Sequence, residues 1–136
     1  MDQINWVAVG VATVLQFGLG GLWYSPKVFG KIWMTSIGLT PDIAEEAKKK
    51  GMAKAMIICL ISCFFLATST VHFIGLVQAT SIKSAIYQLI CPVVGFILAP
   101  VAMGIEFEQR KWGYFWVTAG YLVVGMGIAA VAAVLL

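Results

Sequence analysis

Charge is what this sequence has least of. Only 11% of its 136 residues are Asp, Glu, Lys or Arg, against about 25% in an ordinary soluble domain, so a water-soluble globular fold is excluded. Histidine occurs once, as His72. With no second His or carboxylate near it at ligand spacing, no metal site is expected there, and the plainer role is an interfacial imidazole bonded to a carbonyl. The cysteines Cys59, Cys63 and Cys91 all fall in apolar runs. Buried thiols behave as small hydrophobes, and no disulfide framework is expected. Met1, Asp2 and Gln3 carry no basic n-region and Trp23-Tyr24-Ser25-Pro26 is a poor cleavage site, so the first apolar run is read as a retained span rather than a signal peptide.

What the chain has in abundance is apolar length. Hydrophobic residues make up 61% of it and the mean hydropathy is +0.95. A spanning helix needs about 20 mainly apolar residues, and four stretches qualify, at about 4–24, 55–77, 85–105 and 113–135. The runs are continuous rather than alternating, which points to helices and away from a barrel. The expected fold is therefore all-α. It is a four-span transmembrane bundle forming one integral membrane domain over 1–136, with short interfacial or cytoplasmic helices in a loop at about 25–54.

The pivot of the sequence is Phe17 to Trp33, where a glycine-rich run reaches Trp23 and Tyr24, stops at Pro26 and restarts with lysines. Gly18, Gly20 and Gly21 allow another helix to approach closely, because lipid-phase helices associate by backbone-near contact. Trp23 and Tyr24 suit the headgroup level. Asn5 and Gln16, eleven residues apart, fall on nearly one face of the first helix, and that face is expected to meet protein. Ser25 followed by Pro26 reads as the start of an interfacial helix that Gly38 ends, and Thr40-Pro41 as the start of a second. In the latter, acidic residues lead and Lys48, Lys49 and Lys50 trail, as the helix dipole favours. Those lysines and Lys54 flank a span and suit anionic lipid headgroups.

In the third run, Pro92 and Pro100 free the carbonyls of Gln88 and Phe96, so a kinked helix is expected. Cys91, Gly95 and Ala99 make one small-residue ridge, and Gly125, Ala129 and Ala133 make another on the fourth span. Gln16 and Tyr121 each lie eight residues from the same membrane edge, about 12 Å deep at 1.5 Å per residue, and Ser62 falls close to that level. The three are expected to share one interhelical space.

Two segments, INWVAVGVATVLQFGLGGLWYSPKVFGKIW and WGYFWVTAGYLVVGMGIAAV, resemble the two end signatures of a family of small bacterial membrane proteins of unknown function, DUF1761. The likeness rests on the Asn-Trp opening, the Gly-x-x-Trp-Tyr-Ser-Pro exit with its following Phe-Gly, and the Ala-Gly-Tyr of the last span. Thr118 stands where the pattern often has Asn. The resemblance implies four spans in a bacterial inner membrane and supplies no activity.

Function must then come from residues. No nucleophile with a base, no metal set and no cofactor motif appears, so an enzyme is not expected. No carboxylate, lysine or arginine lies deep in a span, which argues against ion coupling through an intramembrane charge. Gln16, Ser62, His72, Gln88 and Tyr121 are the candidate lining of a solute path or binding site. The alternative is a structural or regulatory module using the small-residue ridges against itself or a partner membrane protein. Expected partners are the bilayer, its anionic lipids and further copies of the chain, with no nucleic acid.

Connections alternate sides, so Lys83 stands alone on one side while Lys27, Lys31, Lys48, Lys49, Lys50, Lys54, Arg110 and Lys111 lie on the other. The positive-inside rule places those eight in the cytoplasm and both termini outside. Reporters that are active on one side of the membrane, fused to either terminus, should give no cytoplasmic signal. A cytoplasmic signal from the carboxy-terminal fusion would contradict this topology.

Overall fold

A computed structural model describes residues 4–136; Met1, Asp2 and Gln3, which bear on the signal-peptide argument, lie outside the described residues. Among the described residues 4–136 the structure consists of helices joined by turns, with no strand. Helix α1 spans Trp6–Trp23, α2 Gly30–Ser36, α3 Pro41–Lys49 and α4 Ala53–Leu76. A third long helix is built in three parts: α5 Ile82–Pro92, a π-helical segment Val93–Leu98 and α6 Ala99–Glu108. Helix α7, Trp112–Leu135, closes the chain. The four long apolar helices are Trp6–Trp23, Ala53–Leu76, Ile82–Glu108 and Trp112–Leu135. They pack as a helical bundle and are each long and apolar enough to cross a membrane, the third running from Ile82 to Glu108 against the expected 85–105.

The bundle is centred on α7. Helices α1, α4 and α7 pack against one another as a three-helix unit, while α5, the π segment and α6 lean on α7. Most residues of the third span are exposed, including Tyr87, Phe96 and Phe107. Its seam toward the α4–α5 turn is formed by Ala85 and Leu89 of α5 with Ile74 of α4 and Met126 and Ala130 of α7.

The two prolines explain why this span changes pitch. Neither Pro92 nor Pro100 can donate to the ladder. Between them the Ala99 N–H reaches back five residues to the Val94 carbonyl, which is the π pattern. The expected kink is thus resolved as a widened turn.

Helix starts follow their caps in three places. Asn5 accepts from Ala8 N–H, Thr40 from Ile43 N–H and Ser81 from Ser84 N–H. Asn5 therefore serves the end of α1 and is not a second buried amide beside Gln16. The Ser25 start does not form. Residues 25–29 are turns, the Ser25 hydroxyl donates back to the Leu22 carbonyl at 2.7 Å, and α2 begins only at Gly30. A tight chain reversal explains this: a Cβ on Gly30 would fall 2.7 Å from Ser25 backbone atoms. Gly38, at φ +71°, ends the α2 region and Gly51, at φ +95°, separates α3 from α4. Helix α3 buries none of its residues, and Lys48, Lys49, Lys50 and Lys54 are all exposed. Glu46 and Lys50 stand 3.9 Å apart on it.

Candidate functional site

Helices α1 and α7 run antiparallel and approach closely because each has a glycine where the other has a large polar side chain. A Cβ on Gly20 would lie 3.0 Å from the Tyr121 hydroxyl. One on Gly125 would lie 2.8 Å from Gln16 Cδ. Gln16 and Gly20 are four residues apart on α1, as Tyr121 and Gly125 are on α7, so one turn of each helix receives one turn of the other. The main-chain carbonyl of Gln16 points along the helix toward Gly20. With no Cβ there, the Tyr121 hydroxyl reaches that carbonyl and donates to it at 3.0 Å. Cys63 of α4 brings its Sγ to 3.5 Å from the same hydroxyl, so the Gln16–Tyr121 contact is shared by all three helices of the central unit.

Below this level aromatic side chains close the basic end of the bundle. Trp23 Nε1 donates to the Val117 carbonyl at 2.9 Å, and its ring lies against Gly120, where a Cβ would be 3.1 Å away. Phe29 packs on Trp23 at 4.6 Å between ring centres, and Tyr24 meets Tyr121 and Trp33 edge-on, both at 5.4 Å. Trp23 is thus a tie between α1 and α7 as well as a residue at headgroup level. On α2, Ser36 is buried and faces Gly113 at the start of α7.

Beside the Gln16–Tyr121 contact is a cleft of about 490 Å³ lined by Gln16, Cys59, Ser62, Cys63, Ser69 and Tyr121 over an apolar wall. Gln16 is only 1% exposed, and its side-chain Oε1 has no hydrogen-bond partner among the described residues. Such an acceptor, left unpaired in a low-dielectric interior, costs about 1–3 kcal/mol. The wall formed by α4 is open: Ser62, Phe65 and Ser69 are exposed on the surface that a bilayer would cover. Ser62 also bonds back to the Ile58 carbonyl at 2.8 Å, as hydroxyls in membrane helices commonly do.

The structure therefore brings together three of the five lining candidates, Gln16, Ser62 and Tyr121. The other two lie elsewhere. Gln88 is exposed on α5. His72 lies at the opposite end of the bundle, on a pocket of about 220 Å³ shared with Asn5, Gln78 and Thr80. Between that pocket and the inner cleft, Ala8, Val9, Ala12, Ala67, Val71, Ala129 and Ala132 form a buried layer. Thr13 and Thr70 are buried in the same stretch, the Thr70 hydroxyl with no hydrogen-bond partner among the described residues, and the two openings share no lining residue.

The ridges divide in the same way. Gly20, Gly125 and Ala129 are buried between helices of the chain. Gly18, Gly21 and Gly95 have no atom within 4 Å of where a Cβ would stand, and Ala99 is exposed. Cys63, Trp23 and Gly120 were not marked out by sequence as members of this cluster. The signal available was spacing: Cys63 precedes Ala67 and Val71 on the buried face of α4, and Trp23 follows Gly20 by one turn.

Four apolar spans, a three-helix core and a hydrogen-bonded polar cluster inside it define a multi-pass helical membrane protein. The chain belongs to the family described as protein of unknown function DUF1761, which it matches over residues 7–135. Comparisons with curated proteins and with solved structures gave no match.

The glycine notches give a matched test. Gly125→Ala places a methyl group against the Gln16 amide and should destabilise the bundle by about 1–3 kcal/mol, the usual cost of overpacking. Gly127→Ala, two residues on and with open space at its Cβ position, should be neutral or stabilising by up to about 1 kcal/mol through helix propensity. Unfolding of the detergent-solubilised protein compares them. Equal effects would contradict the notch at Gly125.

Proposed function

We propose that this is a multi-pass protein of the bacterial inner membrane, with both termini outside the cytoplasm, that binds a small solute in the inner cleft. The observation that carries the reading is the buried, unpartnered Oε1 of Gln16, a residue that lines a cleft whose α4 wall is open on the bundle surface. An acceptor in that position favours a ligand with a hydrogen-bond donor at its head, and the Phe65, Leu66 and Leu122 lining favours an apolar body. The cleft volume of about 490 Å³ falls in the range of small-molecule sites. The separation of the two openings, which share no lining residue and have the buried alanine-rich cluster nearby, supports a binder over an open channel. The chemistry is recognition rather than catalysis.

One observation favours a second reading, a structural module that forms homo-oligomers or packs against a partner membrane protein. Gly18, Gly21, Gly95 and Ala99 are small residues on spans with no helix of this chain against them. Such residues admit close helix approach in lipid.

A pair of probes separates the readings. In a Cys91→Ser background, 1-decanol should slow alkylation of Cys59 and Cys63 by N-ethylmaleimide more than decyl methyl ether, which lacks the donor. Gln16→Leu should remove the difference. Equal protection by the two compounds, or protection by neither, would contradict solute recognition at Gln16 and leave the module reading.

A further inference from the structure

The inner cleft holds two thiols that solute recognition does not use. Cys59 and Cys63 are four residues apart on α4, so they occupy successive turns of one face, with Cβ atoms about 5–6 Å apart. Both line the cleft, and both are free thiols. Cys63 is buried and Cys59 half-buried, so the pair spans the wall from the Tyr121 contact toward the opening. Two sulfurs bonded to a common centre at about 2.3 Å stand less than about 5 Å apart, a span that side chains at this spacing can close.

The ligand count selects the ion. Structural zinc takes four ligands in a tetrahedron, and no group of three His, Cys, Asp or Glu is placed to hold a metal among the described residues. Hard cations need oxygen ligands in still larger number. Two thiolates in an apolar wall suit a soft monovalent d¹⁰ cation that accepts low coordination, because thiolate ligands select Cu(I) over harder ions.

We propose that Cys59 and Cys63 form a two-thiolate site for a soft monovalent cation of the Cu(I) or Ag(I) class. This goes beyond the solute reading and does not rest on it. One M⁺ replaces the protons of two thiols, giving a dithiolate complex of net charge −1 and two released protons, with no change of oxidation state. Neutral hydrogen-bond donors around the site solvate that charge. When Cys63 becomes a thiolate, the Tyr121 hydroxyl, 3.5 Å from its sulfur, turns its proton from the Gln16 carbonyl to Cys63. Gln16 lines the same cleft and its buried Oε1 has no partner among the described residues; a turn of its amide, now seated against Gly125, would face the N–H₂ group toward the complex.

Cys91 is a control within the molecule, since it is exposed on the third span, outside the cleft lining. The test is an anaerobic titration of the purified full chain with Cu(I) in competition with bicinchoninate. One Cu(I) per chain and two protons released per ion are expected. Cys59→Ser and Cys63→Ser should each weaken binding by about a hundredfold or more, exceeding the loss usual for a supporting contact. Tyr121→Phe should weaken it by about tenfold with stoichiometry unchanged. Cys91→Ser should leave it unaltered. Because Cys63 is buried, the half-buried Cys59 carries the test independently of any packing defect. Binding unaffected by Cys59→Ser, or lost equally in Cys91→Ser, would overturn the site. Neither result bears on the alcohol and ether comparison, which contains no metal.

Discussion

Close approach of α1 and α7 is the constraint on which the other contacts depend. Lipid gives helices no hydrophobic reason to associate, so dispersion between near backbones and a few internal hydrogen bonds must hold them. The paired notches meet both needs at one level. Gly20 receives Tyr121 and exposes the Gln16 carbonyl to its hydroxyl, while Gly125 receives the Gln16 side chain. Toward the chain termini the same faces continue as Ala12 and Ala8 on α1 with Ala129 and Ala132 on α7. Small residues thus keep the helices near each other along most of their length. Trp23 fixes the other end by its bond to the Val117 carbonyl.

From that contact the asymmetry of the molecule follows. With α1 and α4 packed on α7, the third span adds to the bundle mainly through α7. It carries both span prolines and the exposed aromatics Tyr87, Phe96 and Phe107. Its π segment lies where two missing donors interrupt the ladder, and Pro100 leaves the carbonyl it would have served, Phe96 in α pitch or Gly95 in π pitch, without that donor. The central unit is alanine-rich in the half that holds the chain termini and more polar in the half that holds Gln16 and Tyr121, and the proposed chemistry belongs to the latter.

Much of this was legible in the sequence, because apolar run length and turn residues are strong signals in a membrane chain. The four spans, the Thr40 cap and the Gly38 stop all appear as expected. Counting residues from the membrane edge also placed Gln16 and Tyr121 at one depth, and they meet. What counting does not give is the atom that bonds. An amide in an apolar run suggests a side-chain partner, yet Tyr121 takes the Gln16 carbonyl, since the gap at Gly20 opens the backbone. Trp23 shows a related limit: an aromatic at a span end marks depth, while its inward turn depends on Gly120 from a distant part of the chain. The Ser25-Pro26 cap signal was overridden by the tight reversal at Gly30, a tertiary effect that local pattern does not contain.

The contact between α1 and α7 depends on the Tyr121 hydroxyl occupying the notch at Gly20. A double-mutant cycle of Gly20→Ala and Tyr121→Phe, read by unfolding of the detergent-solubilised protein, measures this directly. With tyrosine present, the added methyl group meets the hydroxyl, and Gly20→Ala should cost about 1–3 kcal/mol. With phenylalanine the obstructing oxygen is gone, and the same change should cost less than half as much. The predicted coupling is at least about 0.5 kcal/mol, the scale at which contacting residues depart from additivity. Additive effects within about 0.5 kcal/mol would mean that the hydroxyl and Gly20 do not touch, and the central contact between α1 and α7 would be contradicted.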